Sequence, residues 1–306
     1  MSTFENLRKQ MIDYQLAARG LHDQTVLDAI NAVPREEFVP TELIEFAYRD
    51  SPLPIAASQT ISQPYIVALM TAAPELKPDD RALEVGTGSG YAAAILAEIA
   101  ADVYTIERHK ILADTARVRL DELGYNNIQV LYGDGTLGWP EHAPFDAIVV
   151  AAGGPEVPET LKKKLAIGGR LVIPVGSSLR TQKLLRVRRI SKNEYQEEDL
   201  GGVRFVPLIG AAGWEDEAVT LPANKETEAS LPELIYQSSE HFACIDDVNL
   251  DNLMERIGES RVVLLGEASH GTAEFYEMRA HHAGVNRKEG LYDYCSGSRL
   301  AGCGAY

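Results

Sequence analysis

The stretch from Arg81 to Tyr91 constrains this chain most, because it predicts a strand, a tight turn and a helix in immediate succession. It reads R-A-L-E-V-G-T-G-S-G-Y, and the helix-compatible residues Ala92 to Ala97 follow it. Alternating glycines leave no side chain between such a turn and a ligand that lies against its backbone. The helix would present unpaired N–H groups and a partial positive charge to that ligand. A ligand-binding α/β fold is therefore predicted.

The glycine spacing narrows the choice of ligand, although a glycine turn by itself is compatible with NAD, FAD, nucleotides and S-adenosylmethionine. The spacing is G-x-G-x-G, whereas dinucleotide sites use G-x-G-x-x-G. Glu84 stands at the end of the strand, where its carboxylate would repel a pyrophosphate and suit the cationic amino-acid end of S-adenosylmethionine. Both features favour S-adenosylmethionine over a dinucleotide.

Strands and helices alternate along the chain after Arg81, which predicts a mainly parallel, doubly wound sheet with helices on both faces. Two late strands, Lys183 to Ile190 and Gly202 to Leu208, would complete this sheet. The predicted earlier strands and helices are 81–85, 103–107, 109–123 (helix), 128–131, 145–150, 158–165 (helix) and 170–175.

The region before the sheet predicts helices that lead into a long loop. Helical spacing covers Phe4 to Ala18 and Gln24 to Ala32, with Asp23 as a possible N-cap, and Thr41 to Tyr48 is a short third helix. Asp50 to Gln63 is rich in Pro, Ser and Gln and reads as loop, and Pro64 begins the next helix. Ordered loops of this length are uncommon unless they are functional.

Three acids follow successive predicted strands, and the carboxyl ends of parallel strands meet at the ligand-binding edge of a sheet. Glu84 and Glu107 end the first two strands, and Asp134 follows the third. Glu107 lies about twenty residues after the turn, the distance at which an acid bonds ribose hydroxyls. Asp134 could accept a hydrogen bond from an adenine amine. Each acid alone could equally be an exposed loop residue, but the common edge favours a cofactor site.

Composition and charge exclude several classes of protein. The 306 residues are 45% hydrophobic and 24% charged, without an apolar run long enough to span a membrane and without an apolar signal core near Met1. The three cysteines lack zinc-ligand spacing, so no metal is predicted and a cytoplasmic location is expected. A formal net charge of −16 argues against binding to a nucleic-acid backbone. The sequence leaves the oligomeric state open, with a monomer favoured.

Several motifs in order give residues 1–214 a close resemblance to the protein-L-isoaspartate O-methyltransferase family. The Q-T-I-S-Q-P segment is the specific part, because generic methyltransferases lack it. The motifs are D-S-P-L-P-I, Q-T-I-S-Q-P, L-E-V-G-T-G-S-G-Y, G-D-G, P-F-D-A-I-V-V-A-A-G-G-P-E-V-P, L-A-I-G-G-R-L-V-I-P-V-G and V-R-F-V-P-L.

The resemblance implies a Rossmann-like S-adenosylmethionine-dependent enzyme that methylates the free α-carboxylate of L-isoaspartyl residues in damaged proteins, a repair reaction. It implies that Ser62 is the active-site serine, with Thr60, Ile61 and Gln63 beside it at the substrate. The cofactor residues that it implies are Glu84, Gly86, Thr87, Gly88, Ser89, Gly90, Glu107, Asp134 and Gly135. A methyltransferase for a small carboxylic acid and a cofactor-binding remnant without activity are the alternatives.

The sequence after Trp214 changes in character. Residues 215–240 are acidic and read as a linker. Within 241–280, the motif G-E-A-S-H-G-T resembles the opening of the erythromycin esterase family, whose active site would include Glu267 and His270; in so short a fragment both are expected to be inert. Residues 281–306 lose that pattern, and a one-nucleotide frameshift accounts for the change. A poorly packed, disordered C-terminal extension is therefore predicted.

Overall fold

A seven-stranded sheet forms the centre of the protein, seen in a computed structural model that describes residues 3–178 and 181–215. The strand order is β5-β4-β3-β6-β7-β8-β9; neighbours from β5 to β7 are parallel, and β8 is antiparallel to both β7 and β9. The predicted mainly parallel α/β fold is confirmed. The strands, after the short β1 (Leu53–Pro54) and β2 (Thr60–Ile61), are β3 (Arg81–Val85), β4 (Asp102–Glu107), β5 (Ile128–Tyr132), β6 (Phe145–Val150), β7 (Leu165–Ser178), β8 (Thr181–Arg189) and β9 (Tyr195–Val203).

Helices cover both faces of this sheet, because successive strand side chains point to opposite sides. Leu83 and Val85 of β3 join one buried apolar cluster, while Ala82 joins another. The α-helices are α1 (Thr3–Gln10), α2 (Gln24–Ala32), α3 (Pro64–Ala72), α4 (Tyr91–Ala97), α5 (Lys110–Glu122) and α6 (Glu159–Lys162). Among the described residues, no helix combines the length and the apolar character needed to cross a membrane.

The N-terminal segments form a layer of their own, and the predictions for it are mostly confirmed. Asp23 caps α2 as expected, since its side chain accepts a hydrogen bond from Val26 N. The predicted first helix is less regular than expected, because α1 continues as a π-helical turn, Met11–Leu16, and a 3-10 turn, Ala17–Arg19. Met11 and Leu16 are buried in the same cluster as Ile30 of α2 and Ile95 of α4. The first helical segment therefore packs against these two helices.

Further predicted elements differ from the structure. The predicted loop 50–63 contains a hairpin of β1 and β2, which the short strands and the prolines conceal. The last strand is β9, Tyr195–Val203, and not Gly202 to Leu208; only Gly202 and Val203 of the predicted strand belong to the sheet, and Val206 to Leu208 line a cavity instead. The strand predicted from Arg170 begins earlier, at Leu165. The predicted turn at Gly168 lies inside β7, where Gly168 has φ +89°. The fragments predicted beyond residue 215 lie outside the described residues.

The strand order reverses beside β3, which has β4 on one side and β6 on the other. Hydrogen bonds continue past the ends of these strands: Gly86 N donates to Ile106 O and Ala151 N donates to Val85 O, each at 2.8 Å. A crevice outside the carboxyl ends at such a reversal is where ligands bind in open α/β sheets.

The β1–β2 hairpin turns through two consecutive left-handed residues that are not glycine. Ala57 and Ser58 both have φ +55°, and the turn closes through Gln59 N, which donates to Ala56 O at 3.2 Å. The left-handed conformation costs a residue with a Cβ about 1–2 kcal/mol. This turn therefore carries strain that glycine would relieve.

We expect Ala57→Gly to raise the free energy of unfolding by about 0.5–1 kcal/mol, because relief of the left-handed strain outweighs the added backbone entropy of glycine. Ala56→Gly is the matched control: Ala56 has no positive φ, so the substitution adds only the entropy cost and lowers stability. Urea unfolding of both variants measures the difference. Equal effects of the two substitutions would contradict strain at Ala57.

Candidate active site

A cavity of about 330 Å³ lies at the carboxyl ends of β3, β4 and β6. Three parts of the chain form most of its wall: the glycine turn after β3, the segment Ser58 to Ser62 that contains β2, and the stretch Val206–Ile209. Its lining residues are Ser58, Gln59, Thr60, Ile61, Ser62, Val67, Glu84, Val85, Gly86, Thr87, Gly88, Ser89, Tyr91, Ala92, Ile106, Glu107, Arg108, His109, Gly135, Ala151, Ala152, Val206, Pro207, Leu208 and Ile209. The structure thus brings most of the predicted cofactor and substrate residues together.

The glycine turn is held by Glu107 from the neighbouring strand. Glu107 Oε2 accepts from Gly88 N at 2.9 Å, and its Oε1 accepts from His109 N at 2.8 Å. Gly86, Gly88 and Gly90 have φ of +100°, +54° and +91°, which is why the turn needs glycine. One carboxylate therefore fixes the turn after β3 against the start of α5.

Gly90 is the one glycine of the three that the cavity does not include. It is the N-cap of α4, and a Cβ there would lie 3.4 Å from the Leu120 side chain. Its contacts are with α5 and not with the cavity, so the structure gives no support to the prediction that Gly90 touches the cofactor.

Glu84 is buried at the bottom of the cavity, with 1% of its surface exposed. Thr105 Oγ1 donates to Glu84 Oε2 at 2.6 Å, and the hydroxyls of Thr105 and Thr87 lie 2.6 Å apart. A hydroxyl has one proton, so Thr87 donates to Thr105 whenever Thr105 donates to Glu84. Burial raises the pKa of Glu84 to about 8; the negative charge of Glu107 adds to this effect and the Thr105 hydrogen bond opposes it.

The two carboxylates have the chemistry of a site for a cationic ligand. Glu84 and Glu107 are 1% and 4% exposed, and neither forms an ion pair with a base among the described residues. Buried carboxylates without a cation are costly unless a charged partner or a proton compensates them. The sulfonium and ammonium groups of S-adenosylmethionine match this pair in charge. The residues present are thus compatible with that cofactor.

Ser62 lies on a second wall of the cavity. The segment that carries it is held by the side chains of Arg35 and Asp50, which do not line the cavity. Arg35 Nη2 donates to Ser62 O at 2.8 Å. The Asp50 carboxylate accepts from Tyr65 N at 3.1 Å and from Gln63 Nε2 at 2.7 Å. Gln63, predicted to contact substrate, thus uses its side-chain amide on Asp50 and does not line the cavity. Thr60, Ile61 and Ser62 do line it.

The stretch Val206–Ile209 closes the third side and is held by paired backbone groups. Gly153 N donates to Val206 O, and Leu208 N donates to Gly153 O, each at 2.8 Å. The buried Gln182 bonds both backbone groups of Phe205: Oε1 accepts from Phe205 N at 2.7 Å, and Nε2 donates to Phe205 O at 3.2 Å. This wall is therefore fixed to β8 and to the end of β6.

Asp134 has its carboxylate engaged outside the cavity. Oδ1 accepts from the amide and hydroxyl of Thr136, at 2.9 and 2.7 Å, and Oδ2 accepts from Ala211 N at 2.8 Å. A Cβ on Gly210 would lie 2.1 Å from Asp134 Oδ1, so the two residues are in direct contact. The adenine contact of Asp134 stays a prediction; Asp134 lines a second pocket together with Arg108 and Ile209, which also line the cavity. Gly135 does line the cavity.

A family model for protein-L-isoaspartate(D-aspartate) O-methyltransferase matches residues 6–213, which include every residue that lines the cavity. Protein-L-isoaspartate O-methyltransferase 2 of Pelobacter propionicus is 60% identical over 210 residues, 69% of this chain and 93% of that relative. Its counterpart in Brucella anthropi is 55% identical over 216 residues, 71% of this chain and 99% of that relative. The chain belongs to the protein-L-isoaspartate O-methyltransferase family.

Solved structures agree with this membership. A putative protein-L-isoaspartate O-methyltransferase from Plasmodium falciparum, in complex with S-adenosyl-L-homocysteine, aligns with a TM-score of 0.58 and 27% identity over 68% of this chain and 99% of that protein. Another protein-L-isoaspartate O-methyltransferase aligns with a TM-score of 0.61 and 29% identity, over 67% of each chain. The resemblance predicted for residues 1–214 is confirmed at the level of the family.

Several residues that shape the site of this member of the family were not predicted from the sequence. Thr105 lies inside β4 with no local signal, and only the fold shows that it faces Glu84. Val206 to Leu208 belong to a motif that supports the resemblance, but no role was predicted for them. Arg35 precedes Ser62 by 27 positions, and nothing in the sequence predicts their contact.

We expect the contribution of Glu84 to stability to fall as pH rises from about 4.5 to about 8. The unfolded chain releases this proton near pH 4.5, whereas the folded protein keeps it up to about pH 8, so increasing pH favours unfolding across that window.

Glu84→Gln removes this dependence, and the free energy of unfolding of the variant relative to wild type should increase over the same window. Urea unfolding at a series of pH values measures it, with exposed Glu197→Gln as the control. A constant difference between Glu84→Gln and wild type across that range would contradict the raised pKa.

Proposed function

We propose that this chain transfers a methyl group from S-adenosylmethionine to the free α-carboxylate of L-isoaspartyl residues in damaged proteins. One observation carries the proposal: a single cavity is lined both by the glycine turn with its buried acids and by Thr60, Ile61 and Ser62. The family match spans both walls. The reaction is the first step of protein repair.

The acidic end of the cavity is the proposed cofactor end. Glu84 would receive the ammonium group, and Glu107 the ribose hydroxyls. Gly86, Thr87, Gly88 and Ser89 would lie against the cofactor with their backbone. When bound, S-adenosylmethionine supplies the methyl group as an electrophile on a positively charged sulfur.

The Ser62 end is the proposed acceptor end. A carboxylate has a pKa near 4 and is already ionised at neutral pH, so the chain needs no general base to form the nucleophile. Ser62 would donate a hydrogen bond that orients one oxygen of this carboxylate. The main contribution of the protein is then to hold the reacting groups close and in line.

Apolar residues between the two ends would keep water from the reacting groups. Ile61, Val67, Tyr91 and Leu208 line the cavity and are buried. Excluding water strengthens the electrostatic interactions of the carboxylates inside the cavity.

The finer expectations from the sequence stay predictions. They are the cytoplasmic location, the monomeric state, the absence of nucleic-acid partners, and the esterase-like and frameshifted character of residues 241–306. The preference for isoaspartyl proteins as partners is part of the proposal and is tested directly.

We expect the protein to methylate an isoaspartyl peptide but not the aspartyl peptide of the same sequence. The free carboxylate of the aspartyl peptide is the side-chain β-carboxylate, which stands at a different place relative to the backbone, and a 1 Å misplacement can cost about 100-fold in rate. Transfer of labelled methyl groups to the peptide pair measures this. Equal transfer to both, or transfer only to small acids, would favour the alternative methyltransferase, and cofactor binding without transfer would indicate an inactive remnant.

We expect Ser62→Ala to lower turnover of the isoaspartyl peptide about tenfold or more, because the carboxylate loses a charge-assisted hydrogen bond. Affinity for S-adenosylhomocysteine, measured by calorimetry, should stay within about twofold. Ser191→Ala, on the exposed turn after β8, is the matched control. A parallel loss of cofactor affinity in Ser62→Ala would contradict an acceptor role.

A further inference from the structure

Arg35 is the largest side chain of the described residues that solvent does not reach, with 0% of its surface exposed. It forms no ion pair with a carboxylate among those residues, although the charge of Asp50 acts on it from a distance. Burial lowers the pKa of this guanidinium, but arginine stays protonated in proteins at neutral pH. The protein thus keeps in its interior a positive charge that no carboxylate among the described residues pairs directly, which is rare and costly.

The guanidinium lies directly behind the acceptor wall of the cavity. Its Nε donates to Ala47 O at 2.7 Å and its Nη2 donates to Ser62 O at 2.8 Å. The guanidinium carbon lies 4.7 Å from the centre of the Tyr91 ring, and Tyr91 also lines the cavity. Nη1 is buried without a hydrogen-bond partner among the described residues.

Holding two carbonyl groups does not require a charge, since a neutral amide could donate to them. The positive charge of Arg35 can be explained by its position relative to the charged residues of the cavity. Glu107 supplies a negative charge at the cofactor end, where Glu84 becomes negative only once its proton leaves, and Arg35 lies behind the segment that carries Ser62. Arg35 does not itself line the cavity; the bases that do, Arg108 and His109, follow Glu107 at the cofactor end, away from Ser62 in the sequence. Arg35 is thus a buried positive charge directly beside the segment that carries Ser62, where an anionic acceptor would lie.

We propose that Arg35 is a positioning residue for the acceptor, which fixes the Ser62 segment through its carbonyl and draws the substrate carboxylate to that end of the cavity. This inference rests on the proposed function, because it presupposes an anionic acceptor beside Ser62. A low local dielectric lets a buried charge act over several ångströms, so Arg35 acts on the acceptor without touching it.

The test compares binding of an isoaspartyl peptide with that of its α-carboxamide analogue, both in the presence of S-adenosylhomocysteine. The ratio of the two dissociation constants measures recognition of the negative charge without any turnover. The variants are Arg35→Met, which removes charge and donors, and Arg35→Lys, which keeps the charge but loses the planar fork. Arg8→Met is the matched control, because Arg8 is mostly buried and bonds Tyr48 and Asn31 away from the cavity.

In Arg35→Met we expect the preference for the carboxylate to fall about tenfold, the effect of losing one strong interaction with a charged group. Affinity for S-adenosylhomocysteine should stay within about threefold. Arg35→Lys should recover most of the carboxylate preference while its kcat stays low, because Ser62 is no longer held. Arg8→Met should lower the melting temperature and leave the preference unchanged.

An unchanged preference in a cooperatively melting Arg35→Met, or an equal loss of S-adenosylhomocysteine affinity, would overturn the role of Arg35. If Arg35→Met does not fold, Arg35→Gln replaces it, since the amide can still donate to a carbonyl, and the same two outcomes decide. Wild-type protein that methylates isoaspartyl peptide yet shows no carboxylate preference overturns this inference alone. Wild-type protein that neither binds nor methylates the peptide overturns the proposed function as well.

Discussion

The Glu107 carboxylate is the constraint on which the site depends, because it joins two parts of the chain that the sheet only places side by side. It receives one N–H from the glycine turn at Gly88 and another from His109 at the start of α5. With the turn fixed in this way, Gly86 and Ala151 continue the backbone pairing past the ends of β3 and β6. The cavity therefore has a rigid floor, and its other two walls need only to be positioned relative to it.

Each of those walls is fixed by long-range side-chain contacts. Arg35 and Asp50 hold the segment that carries Ser62, and Gln182 holds the stretch that follows Phe205. Hydrogen bonds of buried polar groups specify one arrangement more strictly than apolar packing does, since a shift would leave the bonded groups unpaired. The polar groups that a substrate would meet thus sit on a scaffold that has little freedom to rearrange.

Local signals made much of the fold predictable from the sequence. Helix α2 is bounded as predicted, because Asp23 supplies the N-cap and Pro34 follows its end. The cofactor edge was equally readable, since Glu84 and Glu107 end strands and the glycines mark the turn. What the sequence could not show depends on distant partners: Asp134 bonds Ala211, 77 residues away, and Arg35 bonds the carbonyl of Ser62. Residue type and spacing do not indicate such pairs, so the sequence predicts neither contact, and the adenine contact of Asp134 stays a prediction.

The side chain of Gln182 takes the place of a neighbouring strand for Phe205, since it supplies both the acceptor and the donor that a backbone partner would offer. These two hydrogen bonds fix which residue of the chain lies beside Gln182. Because Gln182 holds Phe205 while Gly153 holds Val206 and Leu208, one residue inserted between Phe205 and Val206 would break one of these two sets of hydrogen bonds. Residues 190–194, which connect β8 to β9 and do not line the cavity, can change in length without breaking either set.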